Sequence, residues 1–132
     1  MAGYTQTPLF KKMGIQPTTR VFVVNAPHDY LVFMEADITN QLTAHLQDAD
    51  MYHIFAQHKT ALAADFNNII GLAKNNAVIW VSWYKKASKI PTDITEDIIR
   101  DILLPTGWVD VKVCAVSDIW SGLKIVKRVK NR

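Results

Sequence analysis

The sequence predicts a three-layer α/β domain: a mostly parallel sheet of about five strands, finished by a C-terminal antiparallel hairpin, with helices on both faces. Short apolar, β-branched runs alternate with segments of helical periodicity. The first three runs are separated by stretches long enough for right-handed crossovers, which implies parallel pairing. The last two runs lie too close together for a crossover, so one of them must run antiparallel. No repeat, low-complexity tract or long Pro/Gly/Ser linker interrupts the chain, and residues 1–132 read as one domain.

The elements follow in order. Thr7 and Pro8 precede Leu9, Phe10 and Met13, and Gly14 follows, which predicts a short helix capped by Thr7 and stopped by glycine. Arg20 to Val24 is a strand apolar enough to be buried on both faces. Asn25-Ala26-Pro27 turns into a helix carrying Tyr30, Leu31, Phe33 and Met34. Residues 35–50 fit either a short helix near Leu42 to Leu46 or an edge strand. Met51 to Ala56 is the second buried strand. Leu62, Phe66, Ile69, Ile70 and Ala73 then form one helical stripe, ended by Asn75 and Asn76. Ala77 to Val81 is the third strand. Asp93 with Glu96 matches a capping box ahead of Ile94, Ile98, Ile99, Ile102 and Leu103, and Pro105 and Gly107 close that helix. Val109 to Ala115 alternates as a strand, and after a connection at Ser117 to Gly122 the chain returns through Leu123 to Val129.

Composition narrows the function classes. With 49% hydrophobic and 20% charged residues the chain can build an ordinary core. The single Cys114 excludes an internal disulfide framework and suits a reducing compartment. The first residues lack the apolar stretch of a signal peptide, and no run approaches the roughly 20 apolar residues of a membrane helix. A cytoplasmic protein is expected. The net charge of +3 is concentrated in Lys124, Lys127, Arg128, Lys130 and Arg132. We read this as a solvated, charged edge strand that resists edge-to-edge pairing, not as a nucleic-acid surface.

Phosphate- or methionine-binding turns of this architecture need glycine after the first strand, because only a bare backbone lets the ligand approach closely. Here the turn reads Asn25-Ala26-Pro27-His28-Asp29; of the acids that could hold a ribose from the end of a second strand about 20 residues on, Asp37 lies too close and Glu35 belongs to the preceding helix. No cofactor is therefore expected. The four histidines form no metal pattern, no Gly-x-Ser-x-Gly elbow exists, and Cys114 falls mid-strand. The segment from Trp83 to Glu96 lies between a strand end and a helix N-terminus. Its Lys85, Lys86, Ser88, Thr92 and Asp93 would suit a phosphate or carboxylate, with Asn25, Trp120 and Ser121 near the same edge. The competing reading makes the lysines solvated and Thr92 or Asp93 simple helix caps.

Several runs carry a family resemblance: Trp80-Val81-Ser82-Trp83-Tyr84-Lys85-Lys86-Ala87-Ser88, Pro91 to Asp97, Val109 to Val116, Trp120-Ser121-Gly122-Leu123, and, nearer the start, Thr7 to Lys12 and Val24 to Pro27. Over most of its length the chain resembles an uncharacterised bacterial family, domain of unknown function 3052. Tyr84 stands where that pattern would have proline. The resemblance implies no activity, since the family has none assigned. The topology is also like that of shortened Rossmann-like S-adenosylmethionine methyltransferase domains. The sequence thus leads to a non-catalytic module that binds a small anion or a protein partner. Homodimerisation through a sheet edge is a subordinate version. A diverged S-adenosylmethionine-dependent methyltransferase-like enzyme is the alternative.

Overall fold

The computed structural model describes residues 7–132. Its helices are α1 (Leu9–Lys12), α2 (Tyr30–Met34), α3 (Lys59–Ile70) and α4 (Glu96–Leu103). Its strands are β1 (Val21–Val24), β2 (Met51–Phe55), β3 (Val78–Tyr84), β4 (Trp108–Ala115) and β5 (Trp120–Lys127). The strands form one sheet in the order β1-β2-β3-β5-β4. β1, β2 and β3 are parallel, β5 runs antiparallel to β3, and β4 runs antiparallel to β5. The predicted architecture is the observed one.

Three details differ from expectation. Pro8, not Thr7, occupies the cap position of α1. The returning strand begins at Trp120, so Ser121 and Gly122 pair within the sheet instead of turning. The basic strand β5 is internal; the edge is β4, where a register irregularity between Asp110 and Lys112 interrupts the ladder. Such a bulge, with a lysine beside it, is one way to blunt an exposed edge.

Strand alternation divides the core into two layers. In β2, Tyr52 and Ile54 face the layer built by Leu62, Phe66 and Ile69 of α3 with Ile99 and Leu103 of α4. Met51 and Phe55 face the other layer, with Leu9 and Met13 at α1 and Tyr30 and Met34 of α2. Both faces of β2 are covered, which is why its five residues are all buried. Trp80 of β3 is fully buried, and its indole N–H donates to the Met13 carbonyl at 3.3 Å, pinning the end of α1 to the sheet. No helix among the described residues is long and apolar enough to cross a membrane.

Residues 35–50 form neither of the expected elements in full. They hold short 3₁₀ turns at Thr39–Gln41 and Leu46–Asp48. A single parallel bridge joins Leu42 to Val21, with the Thr43 N–H donating to the Val21 carbonyl at 2.9 Å. Ile38 packs in the α1/α2 layer, whereas Leu46 and Ala49 pack in the α3/α4 layer. The segment therefore rounds the outer edge of β1 and changes face. As a result, α2 leaves β1 on one face and α3 leaves β2 on the other. A crevice opens between the carboxyl ends of β1 and β2, the switch point at which open α/β sheets bind ligands.

Candidate functional site at the carboxyl edge of the sheet

A cleft of ≈ 550 Å³ occupies this switch point, within the usual range for small-molecule sites. One wall comes from the turn after β1: Asn25, Pro27, His28 and Asp29. The other comes from Ala56, Gln57 and His58 after β2, with Ala61 of α3. Phe55, Tyr84 and Trp120 supply an aromatic floor, and Ile119 also lines the cleft.

The turn after β1 has no glycine, yet it makes the backbone excursion glycine would allow. Asn25 has φ +58°, a left-handed conformation that asparagine tolerates better than most residues. Its side-chain amide donates to the Phe55 carbonyl at 3.3 Å and ties the β1 turn to the end of β2. The floor is held by ring contacts. Trp120 stacks on Tyr84 with centroids 4.1 Å apart and meets Phe55 edge-on at 5.0 Å.

Under the floor lies a polar group that sequence reasoning missed. His53 and Ser82 are fully buried. The Tyr30 hydroxyl lies 3.0 Å from His53 Nδ1, and Ser82 Oγ lies 2.7 Å from Nε2. Burial pushes the Tyr30 hydroxyl well above its ordinary range and the His53 imidazole down to about 3. In the unfolded chain the ring takes up a proton near 6.5, while in the fold it stays neutral. His53 therefore contributes stability fully above about pH 6.5, and that contribution falls as the pH drops toward about 3. Urea midpoints measured across that window should decline, and His53→Gln should flatten that part of the decline.

Of the residues singled out from sequence, the structure brings Asn25 and Trp120 together in the cleft. Lys85, Lys86, Ser88, Thr92, Asp93 and Ser121 lie outside its lining. Ser121 pairs with Trp83, placing it on the sheet face opposite Trp120. Ser88 Oγ donates to the Lys85 carbonyl at 2.7 Å and accepts from the Ile90 N–H. Residues 91–93 strap onto the start of α3. Gln57 donates to the Pro91 carbonyl at 2.7 Å, and Thr92 Oγ1 donates to the Gln57 carbonyl at 2.6 Å.

Asp93 completes the strap and corrects the expected capping box. Its carboxylate accepts the Lys59 N–H at 2.8 Å, so it caps α3 from a distance, while Thr95 caps α4 through the Ile98 N–H. The cap residue of α3 itself, His58, offers no side-chain bond, which leaves that amide for Asp93. Asp93→Ala should cost about 1 kcal/mol, as loss of a helix cap does, and loosen the His58 wall. A shift in thermal midpoint would register the first effect. The same rule that drew attention to the end of β3 also applies to β1 and β2. His28, Asp29, Gln57 and His58 were open to it.

Sheet order, hairpin direction and the switch-point cleft define the class: a Rossmann-like α/β domain with a mostly parallel sheet and a C-terminal antiparallel pair. No family model matches the chain, and no curated protein sequence matches it. Solved structures do. The chain is similar to the M1A22 tRNA methyltransferase TrmK of B. subtilis, with TM-score 0.59 and 9% identity over 93% of this chain and 67% of that one. It is similar to a precorrin-6y C5,15-methyltransferase from Geobacter metallireducens, with TM-score 0.56 and 11% identity over 90% and 85% of the two chains. A SAM-dependent methyltransferase from Aquifex aeolicus gives TM-score 0.53 and 11% identity over 88% and 86%. At such identities the likeness concerns the fold.

Proposed function

We propose that this chain is a shortened S-adenosylmethionine-dependent methyltransferase-like enzyme working in the cleft between β1 and β2. This reverses the order of the two sequence readings. The observation that carries it is the position of an aromatic-floored cleft at the switch point of a methyltransferase-type sheet. The resemblance to the uncharacterised family stands beside it as a proposal that adds no activity.

The cleft's residues fit such a ligand in chemistry. Phe55, Tyr84 and Trp120 suit a flat heterocycle or a sulfonium cation, through stacking and through attraction to the ring faces. Asp29 adds a carboxylate. Asn25 and Gln57 each commit one amide hydrogen within the protein and keep a second hydrogen for a ligand. The segment along the outer edge of β1, Leu42 to Ala44, has no carboxylate for a sugar, so that contact falls to Asp29 and the two amides. Bound there, S-adenosylmethionine would supply an electrophilic methyl group. His28 and His58, on opposite walls, would orient an acceptor and take up the proton it releases.

Calorimetry with S-adenosylmethionine and S-adenosylhomocysteine tests the reading. Saturable heat with both, lost in Trp120→Ala, is the expected result. No heat at millimolar ligand would sink it. Binding without methyl transfer to any acceptor would return the chain to the non-catalytic class.

A further inference from the structure

We propose that Tyr30, His53 and Ser82 are positioning residues for the cleft, a buried relay that fixes its aromatic floor and the wall ahead of α2. The inference rests on the cleft being the ligand site and adds the device that shapes it.

The relay joins three elements through one ring. His53 of β2 uses Nδ1 toward Tyr30 of α2 and Nε2 toward Ser82 of β3. A neutral imidazole donates through one nitrogen and accepts through the other, so both of its polar atoms are engaged. Stability alone does not require this arrangement, because apolar side chains of matching shape often serve a core as well. A satisfied buried network does something a purely apolar core does less well: it selects one arrangement of the groups around it.

Those surrounding groups belong to the cleft. The His53 ring stacks on Phe55 with centroids 4.2 Å apart, and Tyr30 meets Phe55 edge-on at 5.6 Å. Phe55 in turn abuts Trp120, which stacks on Tyr84. Turning the imidazole would turn Phe55 and pass the disturbance along the floor. Tyr30 is also the first residue of α2, directly after the Pro27-His28-Asp29 wall. None of the three relay residues lines the cleft, so they act through Phe55 and that wall.

Amide hydrogen exchange, read residue by residue, tests the relay without any ligand. Tyr30→Phe and Ser82→Ala should each speed exchange about tenfold at His28 to Leu31 and at Ala56 to His58, and leave α4 and β4 unchanged. Leu103→Ala, in the opposite layer, should speed exchange in α4 and spare the cleft. A second arm measures S-adenosylhomocysteine affinity, which should fall about tenfold in Tyr30→Phe and Ser82→Ala and hold in Leu103→Ala. Unchanged exchange at the cleft amides, or a uniform rise across both layers, would overturn the proposal. Ser82→Ala removes one hydroxyl only and decides the matter should Tyr30→Phe unfold. If the wild-type chain binds no S-adenosylhomocysteine, the cofactor reading falls while the exchange arm still judges the relay.

Discussion

Trp120→Ala should cost about 3–5 kcal/mol of stability, the range for truncating a buried tryptophan, and abolish ligand binding in the cleft. Trp120 opens β5 and is only 6% exposed. Its ring touches both other members of the floor, so truncation leaves Tyr84 without its stacking partner and Phe55 without its edge contact. Urea denaturation measures the first effect and calorimetry the second. Trp120→Phe should recover most of the stability, because it restores a ring between Phe55 and Tyr84. Equal loss of stability in both variants would show that the ring contacts are not what holds the floor.

Gly122→Ala is the second large effect, at about 1–3 kcal/mol through overpacking. Gly122 sits opposite Ser82 in the β3–β5 ladder. A Cβ there would lie 2.7 Å from Val116 Cγ2 and 3.3 Å from the Trp80 ring. Neither neighbour yields easily. Valine is stiff at χ1, and Trp80 is held by its bond to the Met13 carbonyl. Removing the obstructing methyl should therefore rescue the variant: Gly122→Ala with Val116→Ala should be more stable than the two single costs summed. Strict additivity would mean that the clash is absorbed elsewhere.

The fold was legible where signals were local and periodic. Met51 to Ala56 and Ala77 to Val81 read as continuous apolar runs and mark β2 and β3, although β3 extends to Tyr84, through Ser82 and Trp83, which the sequence places beyond the strand end. The stripe of Leu62, Phe66 and Ile69 could only be a helix face. Residues 35–50 were not legible, because their order comes from one bridge to Val21 and from packing on both faces in turn. Asp93 shows the same limit. Its local spacing to Glu96 pointed to α4, but the Lys59 amide, distant in sequence, claimed its carboxylate.

The site was half legible for a related reason. Lysines between a strand and a helix advertise an anion, whereas the cleft is made of ordinary residues gathered from the ends of β1, β2 and β3. Only the change of face between β1 and β2 reveals it. That change depends on the irregular segment that sequence reasoning left open. His53 carried a weaker signal: a histidine inside an otherwise apolar strand, whose two partners lie in other elements.

The proposed site is the cleft at the switch point and not the lysine segment beyond β3. Chemical-shift mapping during titration with S-adenosylhomocysteine tests it most directly. Shifts at Asn25, His28, Gln57 and the Trp120 indole, with Lys86 and Ser88 unmoved, are the expected result. Shifts confined to Lys85 through Asp93, with the cleft silent, would contradict it.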